Sequence, residues 1–291
     1  MHHYKSPGRI IFQTFNYAFF IMFCISILVP FINALALSFS SYQAILQNQV
    51  KLWPVGFQLD SYMKLAANYT FLRSFINTVG LTVIQTAMTI IISLSAAYAM
   101  SHKHFKGKKV AMTYILITMF FSGGLIPSYL LVNNIGLNNT YWAIILPGIV
   151  SPFYIIVYKN VMDQLHKEIL ESAEIDGAGE FSLLFRIVLP LVLPMTMAFV
   201  IFSAVAYWNE WFSVLLYIKD KSMWTLQYQL RGILAFARLE DTTVNAPGEQ
   251  TIHPDNLKMA ALMLTVLPII VIYPFLQKYF IHGQFVGAVK G

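Results

Sequence analysis

TFNYAFFIMFCISILVPFINALALS, residues 14–38, contains no Asp, Glu, Lys or Arg. The run is longer than the roughly 20 apolar residues that an α-helix needs to cross the hydrocarbon core of a bilayer. It closes on Ala34-Leu35-Ala36, the small-residue form of a signal-peptidase site. Its apolar part is nevertheless about twice the core of a cleaved signal, so it reads as an uncleaved first span. Outward from it the chain repeats the pattern at about 74–101, 110–133, 141–162, 191–218 and 257–281. None of these stretches alternates over ten residues in the manner of a barrel strand. The expected fold is all-α: a polytopic membrane bundle of six transmembrane helices, a single domain over residues 1–291.

Composition agrees. The chain has 291 residues, of which 57% are hydrophobic and only 11% charged, with a mean hydropathy of +0.63. Ordinary globular chains carry roughly a quarter charged residues, and half that proportion cannot cover a soluble surface. A disordered tail, a secreted disulfide scaffold and a nucleic-acid-binding domain are excluded on these figures. The net charge of +6 reads as loop charge on the cytoplasmic side. Cys24 is the single cysteine, which excludes an internal disulfide. The seven histidines are scattered, and none shows metal-ligand spacing, so no metal site is expected.

Orientation follows from the short loops. The 102–109 connection carries Lys103, Lys106, Lys108 and Lys109, whereas 134–140 carries no charge. The first is therefore cytoplasmic, the second external, and both termini lie inside, with Lys5, Arg9, Lys278 and Lys290 beside them. Pro and Gly recur within the spans at Gly123-Gly124 with Pro127, Pro147-Gly148 with Pro152, Pro190 with Pro194, and Pro268 with Pro274. They fit helices that tolerate such residues and equally fit helices kinked around a cavity.

The most informative connection is 163–189. It begins Asp163-Gln164-Leu165-His166-Lys167-Glu168-Ile169-Leu170-Glu171-Ser172-Ala173-Glu174-Ile175-Asp176-Gly177-Ala178-Gly179. Asp163, Glu168, Glu171, Glu174, Asp176 and Glu180 make up nearly half of the chain's 13 acidic residues. Leu165, Ile169 and Ala173 recur every four residues as one apolar stripe, and Lys167, Glu171 and Glu174 share another face. The spacing predicts a helix from about 164 to 177, stopped by Gly177 and Gly179. Two readings stay open on the residues alone: a solvated surface helix, or a helix that docks into another protein.

Glu171-Ser172-Ala173, three residues, Gly177, nine residues, then Ile187-Val188-Leu189-Pro190 resembles the EAA loop of ABC importer permeases. Ser172 in place of alanine is the one departure. Ile175-Asp176-Gly177-Ala178, Tyr207-Trp208-Asn209-Glu210-Trp211 and the terminal Gly287-Ala288-Val289-Lys290-Gly291 look like the carbohydrate, maltose-type branch. Phe120-Phe121-Ser122-Gly123-Gly124-Leu125-Ile126-Pro127 resembles its oligosaccharide subgroup. The resemblance covers the whole chain. It implies the permease subunit of an importer in the bacterial cytoplasmic (inner) membrane, forming half of the translocation pathway. It also implies a second homologous permease subunit, two ATP-binding subunits that use ATP and Mg, an extracellular solute-binding protein and an oligosaccharide substrate. The chain itself would be no enzyme and bind no cofactor, in keeping with the absence of a Gly-x-x-x-x-Gly-Lys-Ser/Thr phosphate loop. On this resemblance Glu171, Ser172, Ala173, Asp176, Gly177, Ile187, Leu189 and Pro190 couple to the ATPase, with Glu171 making a charge-assisted contact and the tail 283–291 adding a second one.

Candidates for the substrate pathway are Tyr207, Trp208, Asn209, Glu210 and Trp211. An intramembrane carboxylate is a functional hypothesis, although Glu210 also fits an interfacial aromatic belt at the water boundary. Arg231 and Arg238, seven residues apart, share a face if their stretch is helical. They read as solvated charges, as contacts for an acidic sugar at the cavity mouth, or as docking points for carboxylates of the binding protein, the favoured functional option. An ABC permease for a non-sugar solute is the alternative. An ion-coupled secondary transporter fits less well, because the first, second and fourth spans hold no Asp or Glu in their cores and no internal repeat is visible.

Overall fold

The computed structural model describes residues 7–102, 105–165, 167–240 and 253–288, with side chains for all but 7, 167, 236–240 and 275–288. In chain order the helices are α1 Pro7–Ser38, α2 Tyr42–Leu46, α3 Asp60–Ala67, α4 Tyr69–Ser101, α5 Lys108–Phe120 and α6 Leu125–Asn134. There follow α7 Trp142–Gly148, α8 Pro152–Met162, α9 Lys167–Ile175, α10 Glu180–Leu191 and α11 Leu193–Trp208. The last three are α12 Phe212–Tyr217, α13 Leu226–Glu240 and α14 Pro254–Ala288. Among the described residues there is no strand.

Among the described residues, three helices reach membrane-crossing length and apolarity unbroken, over Gly8–Ser38, Tyr69–Ser101 and Pro254–Pro274. Three bent pairs bring the number of spans to six if each pair counts as one: α5 with α6 at 114°, α7 with α8 at 44°, and α10 with α11 at 85°. The apolar stretch 110–133 is therefore not one straight helix. Gly124 sits at φ +86, a backbone conformation that only glycine adopts without strain, and the chain turns there. Along α1 nearly every side chain is exposed, with Phe15 and Ile11 both at 70%, a surface that suits lipid or a partner subunit rather than water.

The chain packs as two compact units. The first comprises residues 1–68 and 230–266. Phe39 stacks between Phe57 at 5.3 Å and Tyr62 at 4.8 Å. Buried Asn256, near the start of α14, donates to the carbonyls of Leu37 at 2.9 Å and Ser40 at 2.7 Å and accepts from Ser61. Three chain segments are tied by one amide. Burial pushes the Tyr62 phenol up, so it stays protonated beside Ser38 Oγ at 2.8 Å.

The second unit comprises residues 69–229 and 267–291 and is built on α4. Ile90, Leu94, Ala97 and Tyr98 of α4 meet Ile155, Tyr158 and Met162 of α8, Leu183, Leu184 and Val188 of α10, and Phe199 of α11. The same helix buries Ser74, Thr78, Thr82, Gln85, Thr86, Thr89 and Ser93. Small and polar residues let helices approach closely inside a membrane.

Two of these polar groups mend the broken helix beside them. Pro152 offers no N–H to the Gly148 carbonyl four residues earlier. The Tyr207 hydroxyl donates to that carbonyl instead, at 2.7 Å, and also meets Thr89 Oγ1 at 2.7 Å. Pro147 likewise removes a donor from the last turn of α7, where Gln85 Nε2 bonds the Ile144 carbonyl at 2.9 Å. With no water in the hydrocarbon core, a freed carbonyl needs such a partner.

Candidate coupling loop and a second polar cluster

The connection 163–189 folds as a helix, a turn and a second helix. Helix α9 begins at Lys167 and ends at Ile175, shorter at both ends than the predicted 164–177. Leu165 instead closes a turn onto Met162 through its N–H. The buried face differs from the predicted one at a single position: Leu170 and Ala173 pack on the α4 core together with Leu165, whereas Ile169 is 42% exposed. Glu168 sits in the first turn, where a carboxylate complements the helix dipole.

The C-terminus of α9 is a Schellman cap. Gly177 lies at φ +82. Its N–H bonds the Glu174 carbonyl and the Ala178 N–H bonds the Ala173 carbonyl, both at 3.0 Å, the paired bonds that satisfy orphan carbonyls at a helix end. Ser172 Oγ donates to the Ile169 carbonyl at 3.1 Å, so the hydroxyl that departs from the family pattern is satisfied within its own helix.

Beyond the cap, Glu180 opens α10, whose middle Leu183–Val188 is a π-helix. Leu183, Leu184 and Val188 are buried, and Ile187 and Leu189 pack on the same core. Pro190 is exposed at the elbow between α10 and α11. Pro194, in the first turn of α11, has no N–H to continue the ladder from Pro190, which accounts for the bend.

Of the eight sequence-predicted coupling residues, Glu171, Ser172, Asp176 and Gly177 are exposed, as is Pro190, while Ala173, Ile187 and Leu189 hold the loop onto the bundle. Glu171 and Glu174 line a cavity of about 480 Å³ that also takes in Tyr98, His102, Lys108 and Asp163. Asp163 pairs with Lys159 and, at 3.8 Å, with Lys108. The residues that sequence reasoning missed are apolar. Ile175 is 86% exposed and Phe181 82%, and they flank the Gly177 turn. A signal existed for Ile175, an isoleucine beside charged residues and next to the capping glycine. The tail 283–288 is described only as backbone, and 289–291 lie outside the described residues.

The second cluster lies where α11 ends. Glu210 Oε1 accepts from the Ser213 N–H at 2.8 Å, at the start of α12, and the Glu210 carbonyl accepts from Thr225 Oγ1 at 2.9 Å. Asn209 donates to the Val205 carbonyl at 2.8 Å and accepts from Gln227 at 2.9 Å. Trp208 is buried with its ring edge-on to Phe75 at 6.1 Å, and Trp211 meets Phe212 at 5.5 Å. The arrangement thus stitches residues 207–211 to the segment around 225–227.

Asn77 and Asn139 extend that stitching. Asn77 donates to the carbonyls of Ser222 and Trp224 and accepts from Tyr141 at 2.9 Å. Asn139 Oδ1 accepts from the Lys219 and Asp220 N–H groups, each at 3.0 Å. Hydrogen bonds from Ser222 hold the Asp220 carboxyl below its usual range. Arg231 is exposed on α13. The backbone at Arg238 is helical, while its side chain lies outside the described residues. No group of three metal-binding side chains converges among the described residues.

The family model described as binding-protein-dependent transport system inner membrane component matches residues 89–284. Protein LplC of Bacillus subtilis (strain 168) is similar, at 40% identity over 269 residues that cover 91% of this chain and 90% of that one. The polygalacturonan/rhamnogalacturonan transport system permease protein YtcP of the same organism is 34% identical over 282 residues, 97% of this chain and 99% of its own. In the crystal structure of a bacterial ABC transporter involved in the import of the acidic polysaccharide alginate, one chain matches with a TM-score of 0.88 at 26% identity, covering 96% of this chain and 99% of that chain.

Proposed function

The chain belongs to the family of binding-protein-dependent transport system inner membrane components, and we propose that it forms half of the translocation pathway of an ABC importer for oligosaccharides. It is a membrane transport subunit rather than an enzyme. A second homologous permease completes the pathway, two ATP-binding subunits use ATP and Mg, and an extracellular solute-binding protein delivers the substrate. The observation that carries this reading is the capped helix α9, fixed on the α4 core by Leu170 and Ala173 while Ile175 and Phe181 project beyond it. A rigid loop with apolar side chains standing free of its own fold suits a partner subunit. The similarity to the permease YtcP and to the alginate importer supports a carbohydrate cargo.

Reconstitution with the ATPase and binding protein encoded beside it tests the reading. Neutral and acidic oligosaccharides are offered in turn, and ATP-dependent uptake of at least one is expected. Uptake of an amino acid or an ion in place of every sugar overturns it. In the same assay Arg231 and Arg238, on one helix, receive carboxylates of the binding protein, since Arg forks suit carboxylates. Replacing both by Gln raises the half-maximal concentration of binding protein, most clearly at low salt. An unchanged concentration dependence removes the arginines from docking.

Both termini face the cytoplasm in this reading, on the strength of the basic loop at 102–109, of which Lys103 lies outside the described residues. With Cys24 replaced, single cysteines at Phe105 and Asn138 should react with an impermeant label from opposite sides of the membrane. Labelling of both from outside intact cells contradicts the orientation.

A further inference from the structure

We propose that Tyr98 and Glu180 form a strut that carries movement of α9 into α4, making Tyr98 and Glu180 positioning residues for transport. The proposal rests on the coupling role assigned to α9 above. Along the chain α9 is joined to α11 through α10, and that route is a poor lever. Its middle is π-helical over Leu183–Val188, and it meets α11 at an 85° elbow where Pro194 supplies no N–H.

The route through space is stiffer. Tyr98 is 8% exposed, packed with Leu94, Leu183 and Leu184, and its hydroxyl donates to Glu180 Oε2 at 2.7 Å. His102, one turn on, places Nε2 3.5 Å from the same oxygen, and its ring stands edge-on to the Tyr98 ring at 4.8 Å. Tyr98 from the last turn of α4 and His102 from the residue just past its end thus converge on one carboxylate oxygen at the first residue of α10. Hydrogen bonds to a charged acceptor are about twice as strong as neutral ones. Glu180 is also held short of α9 by a single tight turn, since Ala178 is bonded back to Ala173.

Helix α4 has somewhere to send the motion. It runs unbroken from Tyr69 to Ser101. Gln85, about 20 Å along the axis from Tyr98 at 1.5 Å per residue, holds the Ile144 carbonyl of α7. Thr89 meets the Tyr207 hydroxyl that holds Gly148. A displacement at Glu180 therefore reaches the broken segment between α7 and α8 through one continuous helix.

The test uses the assembled importer in proteoliposomes and reads solute carried per ATP hydrolysed. Tyr98→Phe removes one oxygen, Glu180→Ala removes the acceptor, and Glu180→Gln keeps an oxygen that can accept from Tyr98. Tyr98→Phe and Glu180→Ala are each expected to lower the ratio by about tenfold, the factor of one hydrogen bond to a charged group. The double variant should fall no lower than either single one, and Glu180→Gln, which keeps a neutral acceptor, should fall by only about threefold. A merely structural role would reduce the amount of complex and both rates together, leaving the ratio alone. An unchanged ratio in both Tyr98→Phe and Glu180→Ala overturns the strut. Phe181→Asp, measured alongside, keeps the two ideas apart. Loss of the ATPase from that variant with an unchanged ratio in Tyr98→Phe overturns the strut and leaves the docking reading standing. Retention of the ATPase overturns the docking reading, while a lowered ratio in Tyr98→Phe still supports the strut.

Discussion

Phe181→Asp combined with Ile175→Asp should strip the ATPase subunits from the solubilised importer, weakening their association by about 100-fold, the effect of losing one interface hot spot. Both side chains are exposed above 80%, so removing them leaves no cavity in the permease and its fold is retained. Burying a Phe or Ile side chain is worth about 1.5–3 kcal/mol, and a carboxylate carried into an apolar pocket adds a desolvation cost. Their mounting matters as much as their size. Ile175 closes the capped helix α9, and Phe181 stands two residues before Leu183, which is 1% exposed. Held on such supports, both lose little freedom on docking, which is how a rigid surface turns contact into affinity. Co-purification of the ATPase with the double variant is the measurement. Wild-type recovery would remove these side chains from the interface.

Gly177→Val should lower substrate-stimulated ATP hydrolysis by about tenfold while leaving the permease in the membrane, because a β-branched residue disfavours positive φ. Gly177 lies at φ +82, and a Cβ added there meets nothing within 4 Å. The cost is therefore conformational and owes nothing to collision. A graded series follows from that distinction. Gly177→Asn should retain most of the activity, since Asn tolerates the left-handed region, and Gly177→Ala should fall between Asn and Val. Losing the turn releases the bonds from Gly177 and Ala178 to Glu174 and Ala173 and frees Glu180 from its place beside Tyr98. Measured hydrolysis in the order Asn, Ala, Val supports the cap, whereas equal damage from Asn and Val would place the cause elsewhere.

Where sequence reading and structure part, the reason is local in each case. The stripe Leu165, Ile169, Ala173 assumed a helix running from about 164. Leu165 falls before the helix, which starts at Lys167, and Leu170, three residues before Ala173, takes the buried place expected of Ile169. The stretch 110–133 is long and apolar enough for one helix, but the Gly123-Gly124 pair lets the chain turn by 114°. Hydropathy registers neither change, since it sums residues without regard to the backbone conformation that joins them. Glu210, a candidate for the pathway on its rarity inside an apolar stretch, has a carboxylate oxygen bonded to the backbone at the start of α12.

The sequence by itself determined whatever depends on neighbours a few residues apart: the apolar runs of membrane length, the basic loop at 102–109, the capping glycine at 177 and the spacing from Glu171 to Pro190. Each is a property of one helix or one turn, governed by periodicity, charge and allowed backbone angles. Only the tertiary structure decided which polar group meets which. Gln85 finds the Ile144 carbonyl 59 residues away, Tyr98 finds Glu180 82 away, and Asn256 reaches back 219 residues to Leu37. A buried polar group in an apolar medium must have a partner, so that a partner exists is foreseeable from composition. Its identity is set by how the helices cross, and that follows from the packing of side chains distant in the chain.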